Sequence, residues 1–418
     1  MTKPRRHGPH LDCGSGNRSR DIITKHLLIG WELGAGMGHA HRMIPIVSAY
    51  LARDWKITVA ARHIPRVREA LSFFLSQDGD RLSIVQAPIF LHRAPIISSP
   101  PVSLTDIFVH AGFADARLCR PVIRAWRRLL DEIAPDIVLS DFAPSLNVAA
   151  RGKCPVLVIG NGWTIPPMCE LPTFAGAPED STTRDTSEQI IEALWIASDR
   201  HWQAPSFCDL LRGDANFVCT LPRLDPYHRY RTGEHYWPVE IPPVKAGQTG
   251  SRGAVLVYLP GDHSALPLVE ALAENLPWRV HAYVGSVPHL SERRLLFSSK
   301  PLNLPALLPS ARLAIHHGGL GIANWCLIHG VPQMIFPTDT EKLLIGRGVM
   351  ETGSGLVVDI SVTPNEMREQ VERLSHLSLA RPDTGGMQTT SDIETLAALL
   401  TASESRTSET GDETGDEA

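Results

Sequence analysis

Short apolar runs alternate with segments of helical period along most of this 418-residue chain. In the first half the predicted strands are Leu27–Gly30, Lys56–Ala60, Leu82–Gln86, Ile137–Ser140 and Pro155–Ile159. In the second half they are Ala254–Leu259, Val280–Val284, Leu313–Ile315, Gln333–Phe336 and Gly355–Val358. Short buried strands that alternate with helices are typical of parallel βαβ units with helices on both faces of a sheet. The pattern therefore predicts an α/β protein with two doubly wound, Rossmann-like domains.

A stretch rich in proline and glycine separates the two halves. Residues 222–253 lack a helical period, which is typical of an interdomain linker. The predicted divisions are a disordered leader at 1–24, an N-terminal domain at 25–240, the linker at 241–253, a C-terminal domain at 254–380, a helix at 384–400 that could pack back on the N-terminal domain, and a disordered acidic tail at 402–418. Two such domains face a cleft at the carboxyl ends of their strands, where open α/β sheets bind ligands.

Composition narrows the class of protein. A net charge of −5 gives no support to a nucleic-acid partner, whose binding domain is usually basic. The seven cysteines form no CxxC pair, which argues against a zinc site or a disulfide framework and fits a cytoplasmic protein. No stretch approaches the roughly 20 apolar residues of a membrane span. The arginine-rich predicted helix Ala116–Leu130 favours a solvated basic face and leaves peripheral membrane contact open.

The segment His316–Pro337 carries the most specific chemistry in the chain. It begins HHGGLG at the end of a strand, continues as a helix, and returns through GVP to a second strand that ends in FP. Glycines allow the backbone to approach a ligand closely, and these lie at the positive end of the following helix. A histidine there can donate a hydrogen bond to a phosphate oxygen. The segment therefore predicts a diphosphate site.

The same segment, with LLPSARL before it, resembles the signature of the UDP-glycosyltransferase family, in which HGGxG or HCGWN is followed by a helix, GVP, a strand and a proline. The resemblance covers residues 301–349 well and the rest of the C-terminal half loosely. It implies the GT-B fold of the bacterial enzymes, a nucleotide diphosphate-sugar as co-substrate (a UDP-sugar by default) and no further cofactor. It also makes the N-terminal domain the acceptor-binding domain and the C-terminal one the nucleotide-sugar-binding domain. The residues that would hold the diphosphate are His317, Gly318, Gly319 and Gly321.

Four donor positions depart from the family pattern. Ile322 stands where the family has a Ser or Thr that touches a phosphate, and Trp325 where it has a Glu that holds the ribose hydroxyls. Glu341 and Lys342 replace the Asp-Gln pair that contacts the sugar hydroxyls. Glu341 can still accept hydrogen bonds from a sugar, whereas Lys342 brings a charge in place of an amide. The base and the sugar of the donor therefore stay open.

A second glycine-rich loop follows the first predicted strand. Its glycines at 34, 36 and 38 suggest a dinucleotide site, but the GxGxxG spacing fails because His39 stands at the third position. Residues 38–46 instead resemble GHxxPLLPLA of the same family, with Arg42 in place of the first proline. The resemblance makes His39 the base that removes the acceptor proton; a histidine that caps the helix or packs under the loop is the alternative. A helix N-terminus disfavours imidazolium and so keeps such a base neutral at pH 7.

Asp141 ends a predicted strand on the cleft side. The resemblance pairs it with His39, and the alternative is an N-cap for a helix that starts near Pro144. The pair implies an inverting displacement without a metal, because the helix terminus after the glycines can stabilise the leaving diphosphate. Phe142 and Trp163 follow strand ends, so we predict that they line the site of a small-molecule or lipid acceptor.

The sequence as a whole predicts an inverting hexosyltransferase, and two other functions stay open. One is a catalytically silent sugar-nucleotide-binding protein, which the departures at Ile322, Trp325 and Lys342 favour. The other is a nucleotide-sugar epimerase or hydrolase on the same fold, which would need an acid and a base beside the anomeric carbon. The triplet Asp78-Gly79-Asp80 has the DxD pattern of a metal site, but its place between a helix and a strand predicts a turn.

Overall fold

A computed structural model describes residues 24–34, 36–90, 101–171, 173–174, 182–234, 236–237, 253–284, 295–298 and 301–379. The predicted leader apart from Thr24, the linker apart from Gly253, the helix at 384–400 and the acidic tail lie outside the described residues. The described chain forms two six-stranded sheets, and every strand pairing within them is parallel. The predicted pair of doubly wound α/β domains is confirmed.

The N-terminal sheet has the strand order β3-β2-β1-β4-β5-β6. Its strands are β1 His26–Trp31, β2 Lys56–Ala61, β3 Leu82–Gln86, β4 Ile137–Asp141, β5 Val156–Gly160 and β6 Ala215–Val218. Its helices are α1 Met37–Leu51, α2 Ile64–Ala70, α3 Ser72–Gln77, α4 Leu104–His110, α5 Ala116–Ile133, α6 Pro144–Ala150 and α7 Thr182–Ala197. The strand order reverses between β1 and β4, where Trp31 is in register with Asp141. A ligand crevice is expected at this reversal.

The C-terminal sheet repeats the arrangement with the order β12-β11-β10-β7-β8-β9. Its strands are β7 Ala254–Tyr258, β8 Arg279–Tyr283, β9 Leu295–Ser298, β10 Ala311–His316, β11 Gln333–Ile335 and β12 Gly355–Val357. Its helices are α8 Leu266–Asn275, α9 Leu304–Leu307, α10 Leu320–His329, α11 Thr340–Glu351 and α12 Pro364–Ser375. Here the order reverses between β7 and β10, so His316 lies beside Tyr258 at the carboxyl edge.

The central strands are largely apolar and buried because helices cover both faces of each sheet. Every residue of β4 and β5 is buried, and α5 lays Ile123 and Trp126 on one face of the N-terminal sheet. On the other face α1 packs Met43 and Val47. Burying strands on both sides in this way is the general condition for parallel sheets.

Several elements differ from the sequence prediction. Strands β6 and β9 were not predicted, because each is a four-residue edge strand with little periodic signal. The hydrophobic period of the sequence predicts one helix from Pro65 to Leu75, whereas the structure has two helices that meet at Leu71. The sequence pattern also predicts a helix over Ile44–Leu51, whereas α1 begins at Met37 and continues through Pro45. His39 therefore lies within the helix rather than in the loop before it.

The proline-rich stretch that follows β6 is packed rather than extended over residues 222–237. Asp225 lies at its centre, and its Oδ2 accepts from Arg231 Nε at 2.7 Å and from the Tyr236 hydroxyl at 2.8 Å. The Asp225 and Arg231 side chains are fully buried, and Leu224 packs in a core shared with α11. The stretch therefore ties the two domains together, since a buried ion pair with these hydrogen bonds fixes its path.

Candidate active site

His39 and Asp141 lie side by side at the carboxyl edge of the N-terminal sheet. Helix α1 starts just after β1, and β1 is paired with β4, so the two residues meet across 102 positions of sequence. His39 Nδ1 is 2.9 Å from Asp141 Oδ1. Because a carboxylate can only accept, Nδ1 carries the proton and Nε2 keeps its lone pair. The arrangement leaves Nε2 able to take a proton from a hydroxyl group.

The imidazole is held on two further sides. It stacks on the Trp31 ring with centroids 5.0 Å apart and an interplanar angle of 18°. On the Nε2 side, Gly34 has a φ of +81°, and a Cβ there would stand 2.4 Å from Nε2. The N-cap of α1 is Gly36, and that of α6 is Ala143, neither with a side-chain cap. The two capping alternatives for His39 and Asp141 are therefore not what the structure shows.

Arg42 is a third member of this cluster that sequence reasoning did not assign to the site. Its guanidinium donates to the same Oδ1 of Asp141 at 2.8 Å. Burial raises the pKa of Asp141, but the charge of Arg42 and the hydrogen bonds from Arg42 and His39 outweigh it, so the pKa lies below its usual value. The signal was present, because residues three apart on a helix share a face.

Glu32 is a second buried carboxyl at this edge, and it was also missed. Its Oε2 accepts from the backbone N–H of Ser145, in the first turn of α6, at 2.9 Å, while Oε1 has no partner among the described residues. Burial raises the pKa of Glu32 to about 8, although Ser145 and Arg62 act in the opposite direction. The group is fully covered, so we place it beneath the site and not in contact with a ligand.

The glycine turn, residues 318–321, leads from the end of β10 into the first residues of α10. Gly318 has a φ of +88°, and a Cβ there would lie 2.8 Å from the Lys342 carbonyl oxygen, so its lack of a side chain is structural. Gly319 is the N-cap of α10, and the space around Gly321 is open. The first N–H groups of a helix lack intrahelical partners, which makes this terminus suited to an anion.

The two histidines before the turn differ in environment. His316 is fully buried: its Nδ1 accepts from Gly318 N at 3.0 Å and its Nε2 donates to Gln333 Oε1 at 2.9 Å. Burial lowers the pKa of His316 to about 3. His317 lies beside the turn, and its Nδ1 donates to the Tyr258 carbonyl at 3.3 Å. His316 therefore supports the turn, whereas His317 has one nitrogen left for a ligand.

That nitrogen, His317 Nε2, stands beside the start of α10, 3.0 Å from where a Cβ of Gly319 would be. Burial, and next the charge of Lys342, lower the pKa of His317, so the free ring is neutral at pH 7. With Nδ1–H committed to a carbonyl, Nε2 can donate to a phosphate oxygen only when the ring is protonated. Binding of a diphosphate here is therefore expected to bring proton uptake.

Glu341 and Lys342 open helix α11 next to the glycine turn. Lys342 Nζ lies 3.0 Å from Glu341 Oε2 and 3.6 Å from Asp339 Oδ2. Burial opposes the charge of Lys342, but these two carboxylates raise its pKa above the usual value. Glu341 Oε1 accepts from Asn161 Nδ2 of the other domain at 2.9 Å. Lys342 therefore provides a fixed cation beside the turn, and Glu341 joins the carboxyl edges of the two sheets.

The remaining predicted donor residues, Ile322 and Trp325, lie three positions apart on α10 and border the same core cluster. Ile322 is 5% exposed and packs with Leu308 and Cys326 in a core cluster. Trp325 is half-buried, and its ring stacks on His329 with centroids 6.0 Å apart. The structure thus places Ile322 under the helix as packing, while Trp325 keeps part of its surface open.

The two predicted acceptor residues also differ. Phe142 has a φ of +49°, accepts Leu33 N–H at its carbonyl, and is half-buried near Phe108. Trp163 is only 6% exposed, because its ring stacks on Phe174 in the N-terminal core. The structure leaves Phe142 at the edge of the site and encloses Trp163.

Among the described residues, no group of three or more His, Cys, Asp or Glu side chains could hold a metal ion. Asp78 of the DGD triplet is paired with Arg81, and the triplet lies between α3 and β3 as predicted. No described helix combines the length and hydrophobicity needed to span a membrane.

One family model matches a part of the chain that includes the glycine turn. Residues 293–383 match the family model "Erythromycin biosynthesis protein CIII-like, C-terminal domain". Over an alignment of 70 residues, the chain is 37% identical to the 3-alpha-mycarosylerythronolide B desosaminyl transferase of Saccharopolyspora erythraea. That alignment covers 16% of this chain and 17% of that protein. Over 283 residues it is 26% identical to a PGL/p-HBAD biosynthesis glycosyltransferase of Mycobacterium tuberculosis, covering 59% of this chain and 64% of that one. The chain thus aligns with less than two thirds of either relative.

Solved structures share the fold of this protein over nearly the whole chain. The solved structure of the spinosyn rhamnosyltransferase SpnG complexed with thymidine diphosphate matches with a TM-score of 0.56 at 15% identity, over 90% of this chain and 100% of that one. The architecture is the GT-B fold, with two Rossmann-like domains. The predicted resemblance to bacterial glycosyltransferases of this fold is confirmed.

Proposed function

We propose that this chain transfers a sugar from a nucleotide diphosphate-sugar to an acceptor hydroxyl, with inversion at the anomeric carbon. The hydrogen bond between His39 and Asp141 carries the proposal, because it leaves a lone pair on Nε2 at the cleft edge. The Asn161–Glu341 bond across the cleft supports it, since it brings this edge to the one that bears the glycine turn.

The reaction assigns one task to each side of the cleft. His39 Nε2 takes the acceptor proton, and the acceptor oxygen forms its bond to the anomeric carbon as the bond from that carbon to the diphosphate breaks. The electron pair leaves on the phosphate oxygen, where the first turn of α10 and the Lys342 ammonium stabilise the negative charge. Asp141 orients the ring and stabilises the imidazolium that forms.

The donor we propose is a thymidine or uridine diphosphate-sugar. The similar spinosyn rhamnosyltransferase was solved with thymidine diphosphate, which supports the first, while UDP is the default of the signature. Glu341 is the residue we expect to accept from sugar hydroxyls. For the acceptor we propose a hydrophobic natural product or lipid, because the half-buried Phe142 ring follows Asp141 directly at the edge of the site. One relative named above is a 3-alpha-mycarosylerythronolide B desosaminyl transferase, which supports the first of these.

The test is release of nucleoside diphosphate from a panel of dTDP- and UDP-sugars, with and without acceptor extracts. We expect His39→Ala to lower kcat by about a hundred- to ten-thousand-fold while donor affinity stays close to wild type. His41→Ala is the matched control, because His41 lies two residues along the same helix and is exposed. Near-normal turnover by the His39 variant would exclude the proposed base.

Donor binding is tested separately. We expect His317→Ala to raise the Kd for nucleoside diphosphate about ten- to a hundred-fold, since a hydrogen bond to a charged group contributes roughly 1.5–3 kcal/mol. An unchanged Kd would remove His317 from the site.

A silent sugar-nucleotide-binding protein is the second candidate, because Ile322 offers no polar atom where the family contacts a phosphate. Tight binding with no turnover of any donor, in the presence of any acceptor extract, would favour it.

A further inference from the structure

Arg42 and His39 compete for one oxygen atom. Both lie on α1, one turn apart, and both donate to Asp141 Oδ1, at 2.8 Å and 2.9 Å. The side chains of Arg42 and Asp141 are 9% and 1% exposed. The second carboxylate oxygen, Oδ2, is buried and has no partner among the described residues. The guanidinium, the carboxylate and the imidazole thus form one compact cluster with little access to water.

The charges in this cluster act on His39 in opposite directions. A carboxylate beside a histidine favours imidazolium, whereas a guanidinium beside it disfavours imidazolium. In a low-dielectric setting both effects are larger than in water. Arg42 also keeps Asp141 ionised, so Asp141 Oδ1 remains an acceptor and His39 Nδ1 remains the donor.

We propose that Arg42 is a positioning residue for the base: by donating to Asp141 Oδ1 it keeps that carboxylate an acceptor for His39 Nδ1, and its charge opposes a second proton on Nε2. This inference rests on the transfer reaction proposed above, in which only the neutral ring can accept the hydroxyl proton. Without the charge of Arg42, the Asp141 carboxylate would favour a protonated His39 ring. Activity would then be lost at a higher pH as the solution is acidified.

The other groups near the cluster do not take over this task. Burial raises the pKa of Cys219, which adjoins Arg42 and Asp141, to about 12, so its thiol is neutral. The Glu32 carboxyl is turned to Ser145, and Arg62 donates to the Glu32 carbonyl at 3.0 Å. Trp31 covers one face of the His39 ring and carries no charge.

The test compares Arg42→Gln, which removes the charge, with Arg42→Lys, which keeps it. We expect Arg42→Gln to move the acidic limb of the plot of kcat/KM against pH to higher pH by about one unit, the usual effect of a charge at this distance. The matched control is Arg62→Gln, which removes a nearby guanidinium bonded to a carbonyl and not to Asp141. Arg42→Lys and Arg62→Gln are expected to keep the wild-type limb.

A second readout needs no turnover. The His39 ring signals are followed by NMR against pH in the free protein, and the titration midpoint should rise in Arg42→Gln but not in Arg42→Lys or Arg62→Gln. Coincident midpoints in folded wild type and Arg42→Gln would overturn the inference, and so would equal shifts in the Gln and Lys variants. A shifted midpoint in a protein that turns over no donor would instead count against the proposed function alone.

Discussion

The adjacent residues His316 and His317 show how burial divides the work of similar side chains. His316 uses both ring nitrogens inside the protein, and burial lowers its pKa to about 3. His317 uses one nitrogen on Tyr258 and keeps the other beside α10. The sequence motif does not distinguish the two histidines. Only their hydrogen bonds show which ring has a nitrogen available to bind a ligand.

The buried His316 ring makes stability depend on pH. Its folded pKa is depressed from about 6.5 to about 3, so the unfolded chain binds the proton first, and stability is lost as pH falls below 6.5. Between pH 7 and pH 5 this should remove about 2 kcal/mol from the free energy of unfolding. We expect His316→Asn, whose amide oxygen can still accept from Gly318 N, to be less stable at pH 7 but to lose less on acidification.

Urea unfolding of both proteins at pH 7, 6 and 5 measures this difference. His201→Asn is the control, because His201 is exposed. Parallel losses in wild type and the His316 variant would contradict the assignment of the buried neutral ring.

At the scale of elements, the turn between β10 and α10 separates its glycines by role. Gly318 needs its left-handed backbone and its contact with the Lys342 carbonyl, while Gly321 has open space around it. A glycine motif in a sequence does not distinguish these cases, because the backbone conformation and the neighbouring α11 decide them.

We expect Gly318→Ala to lower the free energy of unfolding by about 1–3 kcal/mol, the cost of a non-glycine residue in a strained region. Gly321→Ala should leave stability unchanged or raise it by up to about 1 kcal/mol, since alanine is the better helix former. Thermal and urea unfolding of the two variants check this pair, and an equal effect at both positions would refute the distinction.

At the scale of the whole molecule, the two domains meet at several side chains. The hydrogen bond from Asn161 to Glu341 joins residues 180 positions apart. Leu221 N donates to Asn324 Oδ1 at 3.2 Å, and a Cβ at Gly348 would lie 2.4 Å from the Arg223 carbonyl oxygen. The stretch after β6 therefore contacts both α10 and α11, which is why its prolines do not make it a free linker.

The cross-cleft hydrogen bond should respond to charge. Asn161→Asp keeps the oxygen that accepts Thr164 N–H at 2.9 Å but replaces the donor to Glu341 with a second carboxylate. We expect the variant to lose the roughly 1 kcal/mol that the hydrogen bond contributes to holding the two domains together, and the two carboxylates to repel each other. The radius of gyration measured by small-angle X-ray scattering should therefore be larger than in the wild type. Combining Asn161→Asp with Glu341→Gln restores one amide and one carboxylate and should restore the wild-type value. Identical scattering from wild type and Asn161→Asp would show that the bond does not hold the cleft.

The resemblance to the UDP-glycosyltransferase family implied the pairing of His39 with Asp141. The sequence by itself determined the two α/β domains, their strands other than β6 and β9, and the glycine turn. These are carried by hydrophobic period, by turn residues and by a local motif, each of which acts over a few neighbouring positions. Only the tertiary structure decided that Arg42 shares Asp141 across 99 positions, that Asn161 reaches Glu341, and that Ile322 is buried beneath α10. Such contacts depend on the register of paired strands and on how the two domains meet, and no local pattern encodes those distances.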